Sequence, residues 1–168
     1  MLNTFSKIAK TGTYMAALLV ALSVLTGGIS HAENIPVVSG LKTVSTNYSF
    51  DKLISRLKRA IVDNNMGLVA QASASAGASA RGIQIPGNAV LMVFRNDYAV
   101  RMLKASIPAG IEAPLRIYVT ENKNGTSAIT YRTPSAVFSP YGNDKLNALA
   151  RELDPILAKI VSEAAGKR

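Results

Sequence analysis

Two runs of alternating apolar residues, Leu115 to Glu121 and Ser127 to Thr133, flank the turn sequence Asn122-Lys123-Asn124-Gly125. Period-two alternation puts one side of each run in a core, and Asn-Gly accepts the positive φ of a tight turn, so the pair predicts a β-hairpin. A two-stranded ribbon is at best marginal in water, so the rest of the chain has to bring further strands and a helical layer.

The flanking sequence reads accordingly. Leu41 to Tyr48 alternates as a first strand. Phe50, Leu53, Ile54, Leu57 and Ile61 recur at helical spacing behind Ser49 as N-cap, with Gly67 expected to close that helix. Leu68 to Ala72 predicts a second strand, which runs into a tract from Ala70 to Ala80 that is Ala, Ser and Gly apart from Gln71 and is read as strand end plus short helix. Ala89 to Phe94 is continuously apolar and too short for a helix, so a central strand buried on both faces is expected. Asn96 and Asp97 open a helix carrying Tyr98, Val100, Met102 and Leu103. Pro134 to Pro140 reads as a loop, and Asn143 opens a last helix that Pro155 should kink unless it starts a new turn. The order is strand, helix, strand, short helix, strand, helix, strand, strand, helix. That predicts an α+β fold, a single small domain over residues 41–165 with a mixed, twisted sheet of about five strands and packed helices.

Residues 1–32 read as an address rather than as part of the fold. Met1 to Thr13 is polar with Lys7 and Lys10, Tyr14 to Leu25 is apolar, and Thr26 to Ala32 is small and polar, ending Ser30-His31-Ala32. This is the pattern of a secretory signal peptide cut between Ala32 and Glu33, leaving residues 33–40 as a flexible lead-in. The apolar run falls well short of the ~20 residues of a membrane span, and nothing later resembles one, so a periplasmic or secreted protein is expected, without a transmembrane segment after signal removal.

Cleavage would also remove His31, the chain's one histidine, and there is no cysteine. Disulfides and thiolate chemistry are thereby excluded, no metal site or cofactor is expected, and no catalytic residue stands out. The 19 Lys and Arg against 10 Asp and Glu become 17 against 10 without Lys7 and Lys10, a net charge of +7. Such a surface favours anionic partners. Nucleic acid is not among those expected, because export removes it and the basic residues lack interleaved aromatics.

Several short motifs resemble a bacterial family, the domain of unknown function 302. They are Phe50-x-x-x-Ile54-x-x-Leu57-Lys58, Gly67-Leu68, Val93-Phe94 with Asn96, Gly110-Ile111-x-x-Pro114-Leu115, Tyr131-x-x-Pro134 and Tyr141-Gly142, in order from about Ser45 to Ala164. The resemblance implies a small α+β domain, a homodimer, and no established catalytic activity or site residues. Many family members carry an Asp-His pair near the position of Ser73 to Ala76, where this chain has only Ser and Ala. A homodimer is also expected because a small sheet gains by covering its edge.

The leading functional expectation is a non-catalytic periplasmic binding or interaction module. Its ligand site is placed where the apolar strand meets a helix start, at Arg95 and Asn96 with Arg101 and Arg116 adding charge, for a small anionic ligand or an acidic protein partner. One alternative is a hydrolase or isomerase of a small anionic metabolite, with Glu112, Glu121 and Tyr131 as the candidate groups; structurally, Glu112 reads as a turn carboxylate and Tyr131 as a strand aromatic. Another is a basic surface that binds envelope polyanions.

Overall fold

Helical spacing of apolar residues and period-two alternation both survive in three dimensions, and together they set one face of a sheet against a layer of helices. The computed structural model describes residues 38–167. The expected signal peptide, its Ala32–Glu33 cleavage point and the lead-in as far as residue 37 lie outside the described residues. In chain order the elements are β1 (Leu41–Thr46), α1 (Phe50–Asp63), β2 (Gly67–Ala72), α2 (Ala74–Ser79), β3 (Asn88–Phe94) and α3 (Asn96–Ala105). A 3₁₀ turn Pro108–Glu112 follows, then β4 (Leu115–Glu121), β5 (Ser127–Arg132), α4 (Pro134–Phe138), a second 3₁₀ turn Ser139–Tyr141, and α5 (Asp144–Ala165).

The fold is α+β, with five strands in the order β1-β5-β4-β3-β2. Every ladder is antiparallel, which corrects the expected mixed sheet. The reason is where the helices go. Leu115 at the start of β4 pairs with Val93 at the end of β3, so α3 and the 3₁₀ turn make an excursion at one end of the sheet instead of a crossover. In the same way α2 leaves from the end of β2 and returns at the start of β3 at the other end, where Ala72 pairs with Val90.

Helix α1 buries Leu53, Ile54, Leu57 and Ile61, and α5 buries Leu146, Leu149, Leu153, Leu157 and Ile160. They cover Leu91, Val93, Ile117, Val119 and Ile129 of the sheet. Each such side chain taken from water stabilises by about 1.5–3 kcal/mol, which outweighs any exposed charge pair and decides which face of the sheet is covered. The other face has no helix. Strand β3 accordingly alternates buried Ala89, Leu91 and Val93 with half-exposed Val90, Met92 and Phe94, so it is not buried on both faces as its unbroken apolar run led one to expect.

Three local expectations change. Helix α1 is closed by Asn65 at φ 56, which takes the left-handed position expected of Gly67, while Gly67 itself begins β2. The expected loop at 134–140 is helical, because Thr133 accepts from the Ala136 N–H and Pro134 suits the first helical position. Pro155 lies inside a continuous α5. Among the described residues, no helix is long and apolar enough to cross a membrane.

Candidate functional site

The hairpin register pairs Tyr118 with Thr130 and Ile117 with Tyr131, so the next step sets Arg116 beside Arg132 on the uncovered face. Like charges directly across a ladder repel. Arg132 is held by carbonyls, donating from Nε to Ser39 O at 3.3 Å and from Nη2 to Ala136 O at 3.0 Å. Gly40 makes that arrangement possible: its φ is +70, and a Cβ there would overlap the Ala136 side chain, so the turn and α4 close around Arg132 only with glycine. The Arg116 side chain is 62% exposed, and its nearest carboxylate oxygen, Glu112 Oε2, lies 3.6 Å from Nη2. That is longer than the ~2.7–2.9 Å of a charge-assisted hydrogen bond, so this guanidinium is only loosely engaged.

Between these groups lies a cleft of about 230 Å³ at the end of the sheet opposite the hairpin turn. Leu41, Leu115 and Val137 give it apolar walls, and Glu112, Tyr118, Thr130 and Tyr131 complete the lining. With two guanidiniums to one carboxylate it is net positive. Glu112 is fixed by the Tyr141 hydroxyl, which donates to Oε1 at 3.2 Å. Burial, and then the hydrogen bond to Glu112, raise the Tyr141 phenol above its ordinary range; burial, and then the Asp154 charge, do the same for Tyr131. Both phenols therefore stay protonated near neutral pH, and that of Tyr141 serves as a hydrogen-bond donor to Glu112 rather than as a base.

The helix start at Arg95 is arranged differently. Arg95 donates to both carboxylate oxygens of Asp97, at 2.8 and 3.2 Å, and lies 4.2 Å from the Tyr98 ring centroid. Arg101 flanks the same ring at 5.4 Å and donates to both oxygens of Glu152, at 2.8 and 2.7 Å. Asn96 is exposed at the first helical position. Arg95, Asn96 and Arg101 are thus brought together, each guanidinium already neutralised by its own carboxylate, while Arg116 stands apart in the cleft. The hollow beneath Arg95 and Tyr98 is about 30 Å³ and lined mainly by apolar side chains such as Met66, Val93 and Met102. That is room for about one water molecule. Of the three candidate catalytic groups, Glu112 and Tyr131 share the cleft with Arg116. Glu121 is at the other end of the sheet, where it accepts from the Gly87 N–H at 2.7 Å and joins the hairpin to the start of β3. Among the described residues, no group of three or more His, Cys, Asp and Glu is placed to hold a metal ion.

A family model described as Domain of unknown function DUF302 matches residues 42–164. The chain belongs to the DUF302 family. A crystal structure of an uncharacterized conserved DUF302 protein from Bacillus stearothermophilus is similar, with a TM-score of 0.67 at 21% identity, covering 74% of this chain and 98% of that one. At that identity the likeness speaks to the fold alone. No curated protein matches the chain. In this DUF302 domain, sequence reasoning missed Arg132, Tyr118 and Tyr141. The signal that reaches Arg132 is the hairpin register, since counting back from the Asn-Gly turn sets it opposite Arg116. Tyr141 has no such signal, because its bond to Glu112 joins positions 29 apart.

Proposed function

We propose that this DUF302 protein is an exported, non-catalytic binding module that takes a small anionic ligand between Arg116 and Arg132 and works as a homodimer. One observation carries the ligand: two arginines side by side on an uncovered sheet face, with Glu112 the one carboxylate in the cleft and 3.6 Å from Arg116. An anion in the cleft relieves the repulsion and gains a two-pronged, charge-assisted grip. The volume suits a ligand smaller than the 300 Å³ or so where drug-sized sites begin, and its apolar walls suit a carboxylate or phosphate ester with a short apolar or aromatic body. Export rests on the address-like pattern of residues 1–32, and intact mass of the exported protein, beginning at Glu33, checks it. Dimerisation is supported by β2, which lies at the sheet edge and buries no residue.

Thermal melts with and without phosphate, acetate or benzoate test the site. A ligand at about 100 times its dissociation constant stabilises by about 2.7 kcal/mol, a shift of several degrees for a domain of this size. Arg116→Ala should abolish the anion-dependent shift and leave the ligand-free melting temperature nearly unchanged, because its side chain is mostly in solvent. Arg95→Ala should keep the shift. A wild type indifferent to every anion, or an Arg116→Ala variant that responds like wild type, contradicts the proposal.

A further inference from the structure

On α3, Val100 and Leu103 are exposed at the spacing i, i+3, and Ile107 follows just beyond the helix end, where Ser106 is extended. Ile107 is 78% exposed, and Ile111, in the 3₁₀ turn that folds back against Leu103 at Gly110, is 81% exposed. Large aliphatics so fully in water, gathered at one corner, call for a cover.

The neighbouring stripe of α3 is cationic. Arg101 and Lys104 line a groove of about 390 Å³ between α3 and α5, with Lys145 opposite and Ala105, Ala148 and Leu149 between them. Arg101 is held by Glu152 and Asp144 precedes Lys145, but no carboxylate lines the groove itself, and among the described residues neither Lys104 nor Lys145 makes an ion pair. Lys145 stands in the first turn of α5, where the helix dipole disfavours a cation. We infer that this corner docks on an anionic lipid surface, with Ile107 and Ile111 entering the headgroup boundary and Lys104 and Lys145 meeting lipid phosphates.

Charge decides between occupants. A second copy docking here would set Lys104 and Lys145 of one protomer against the same cationic patch of the other. A soluble anion in the groove would leave the isoleucines in water. An anionic leaflet satisfies both stripes at once. The groove and the arginine cleft share no lining residue, although Ile111 adjoins Glu112, so vesicle binding and the anion-dependent melting shift are read on separate variants.

Sedimentation with vesicles tests it. The described fold lies within residues 38–167, so the chain beginning at Glu33 carries it whole, and both this form and the full chain are used. Binding is expected to phosphatidylcholine vesicles containing phosphatidylglycerol and to be much weaker with phosphatidylcholine alone. Replacing both isoleucines, Ile107→Ser and Ile111→Ser, should weaken binding by at least about tenfold, as loss of apolar burial requires. The pair Lys104→Gln and Lys145→Gln should weaken it by about tenfold or more and flatten its salt dependence. Circular dichroism is expected to show all variants folded, since the four side chains are exposed. Absence of binding by the Glu33 form, or binding by it that survives the isoleucine replacements, overturns the inference; binding that inorganic phosphate competes away shows a soluble-anion groove instead and overturns it too.

Discussion

Asp97 and Glu152 each hold a guanidinium by two hydrogen bonds, and that makes a small part of the stability sensitive to acid. Arg95, chiefly through its hydrogen bond, keeps the Asp97 carboxyl below its ordinary value of 3.8, and Arg101 does the same for Glu152 relative to 4.5. A carboxylate with a depressed folded value adds stability that is complete above its unfolded value and lost as pH falls through the folded one. Both pairs are in solvent, so the contribution is modest. Melts taken downward from neutral pH should show wild-type stability falling once pH passes below 4.5, and Glu152→Gln should lose part of that fall; parallel curves would show that the pair contributes nothing. Arg56 marks how little of this scale was legible in the sequence. It reads as a solvent-side residue of α1, yet Nε donates to Ala164 O at 2.6 Å and Nη2 to Glu163 O at 2.7 Å, capping the end of α5. No local pattern reports a partner 107 or 108 positions away. Arg95 was legible as a helix-start cation, because strand end and helix start adjoin in sequence, whereas its two-pronged bond to Asp97 is a matter of side-chain conformation that the sequence does not report.

Elements were the most legible scale, since their periods are local. Helices α1 and α5 and both hairpin strands fall where apolar spacing puts them. The misreadings have separate causes: Asn65 rather than Gly67 closes α1, Thr133 and Pro134 start a helix in an expected loop, and an unbroken apolar run such as Ala89 to Phe94 cannot say whether a second helical layer exists. The β2 arm carries the main prediction here. From Gly67 to Asn88 no residue is buried, and Arg81 is the one charged side chain in the stretch. The register shift between Leu68 and Ala70 leaves Val69, 53% exposed, as an extra residue of the edge strand. Some twenty residues of which none is buried, Leu68 alone packing against the core, match what one side of an ordinary dimer interface holds, about 20–30 residues. Light scattering at micromolar concentration should give twice the chain mass for wild type and for Ser45→Lys on the opposite edge, but the single mass for Val69→Lys. A monomeric wild type rejects the homodimer; a dimeric Val69→Lys places its interface elsewhere.

For the whole molecule, a single helical layer is the consequential fact. It leaves one sheet face open, and the hairpin register then puts Arg116 and Arg132 together on that face, beside a carboxylate held by Tyr141. Fold class followed from element order, but which face stayed bare depended on contacts between distant segments, so the sequence reading assigned Arg116 to the helix start and left out its neighbour. Backbone amide chemical shifts of the isotope-labelled protein, followed through a titration with benzoate or phosphate, test the placement most directly. Shifts that saturate and cluster on Arg116, Tyr118, Thr130 and Arg132 are expected. Shifts confined to Arg95 through Tyr98, or none at all, would contradict the arginine cleft as the binding site.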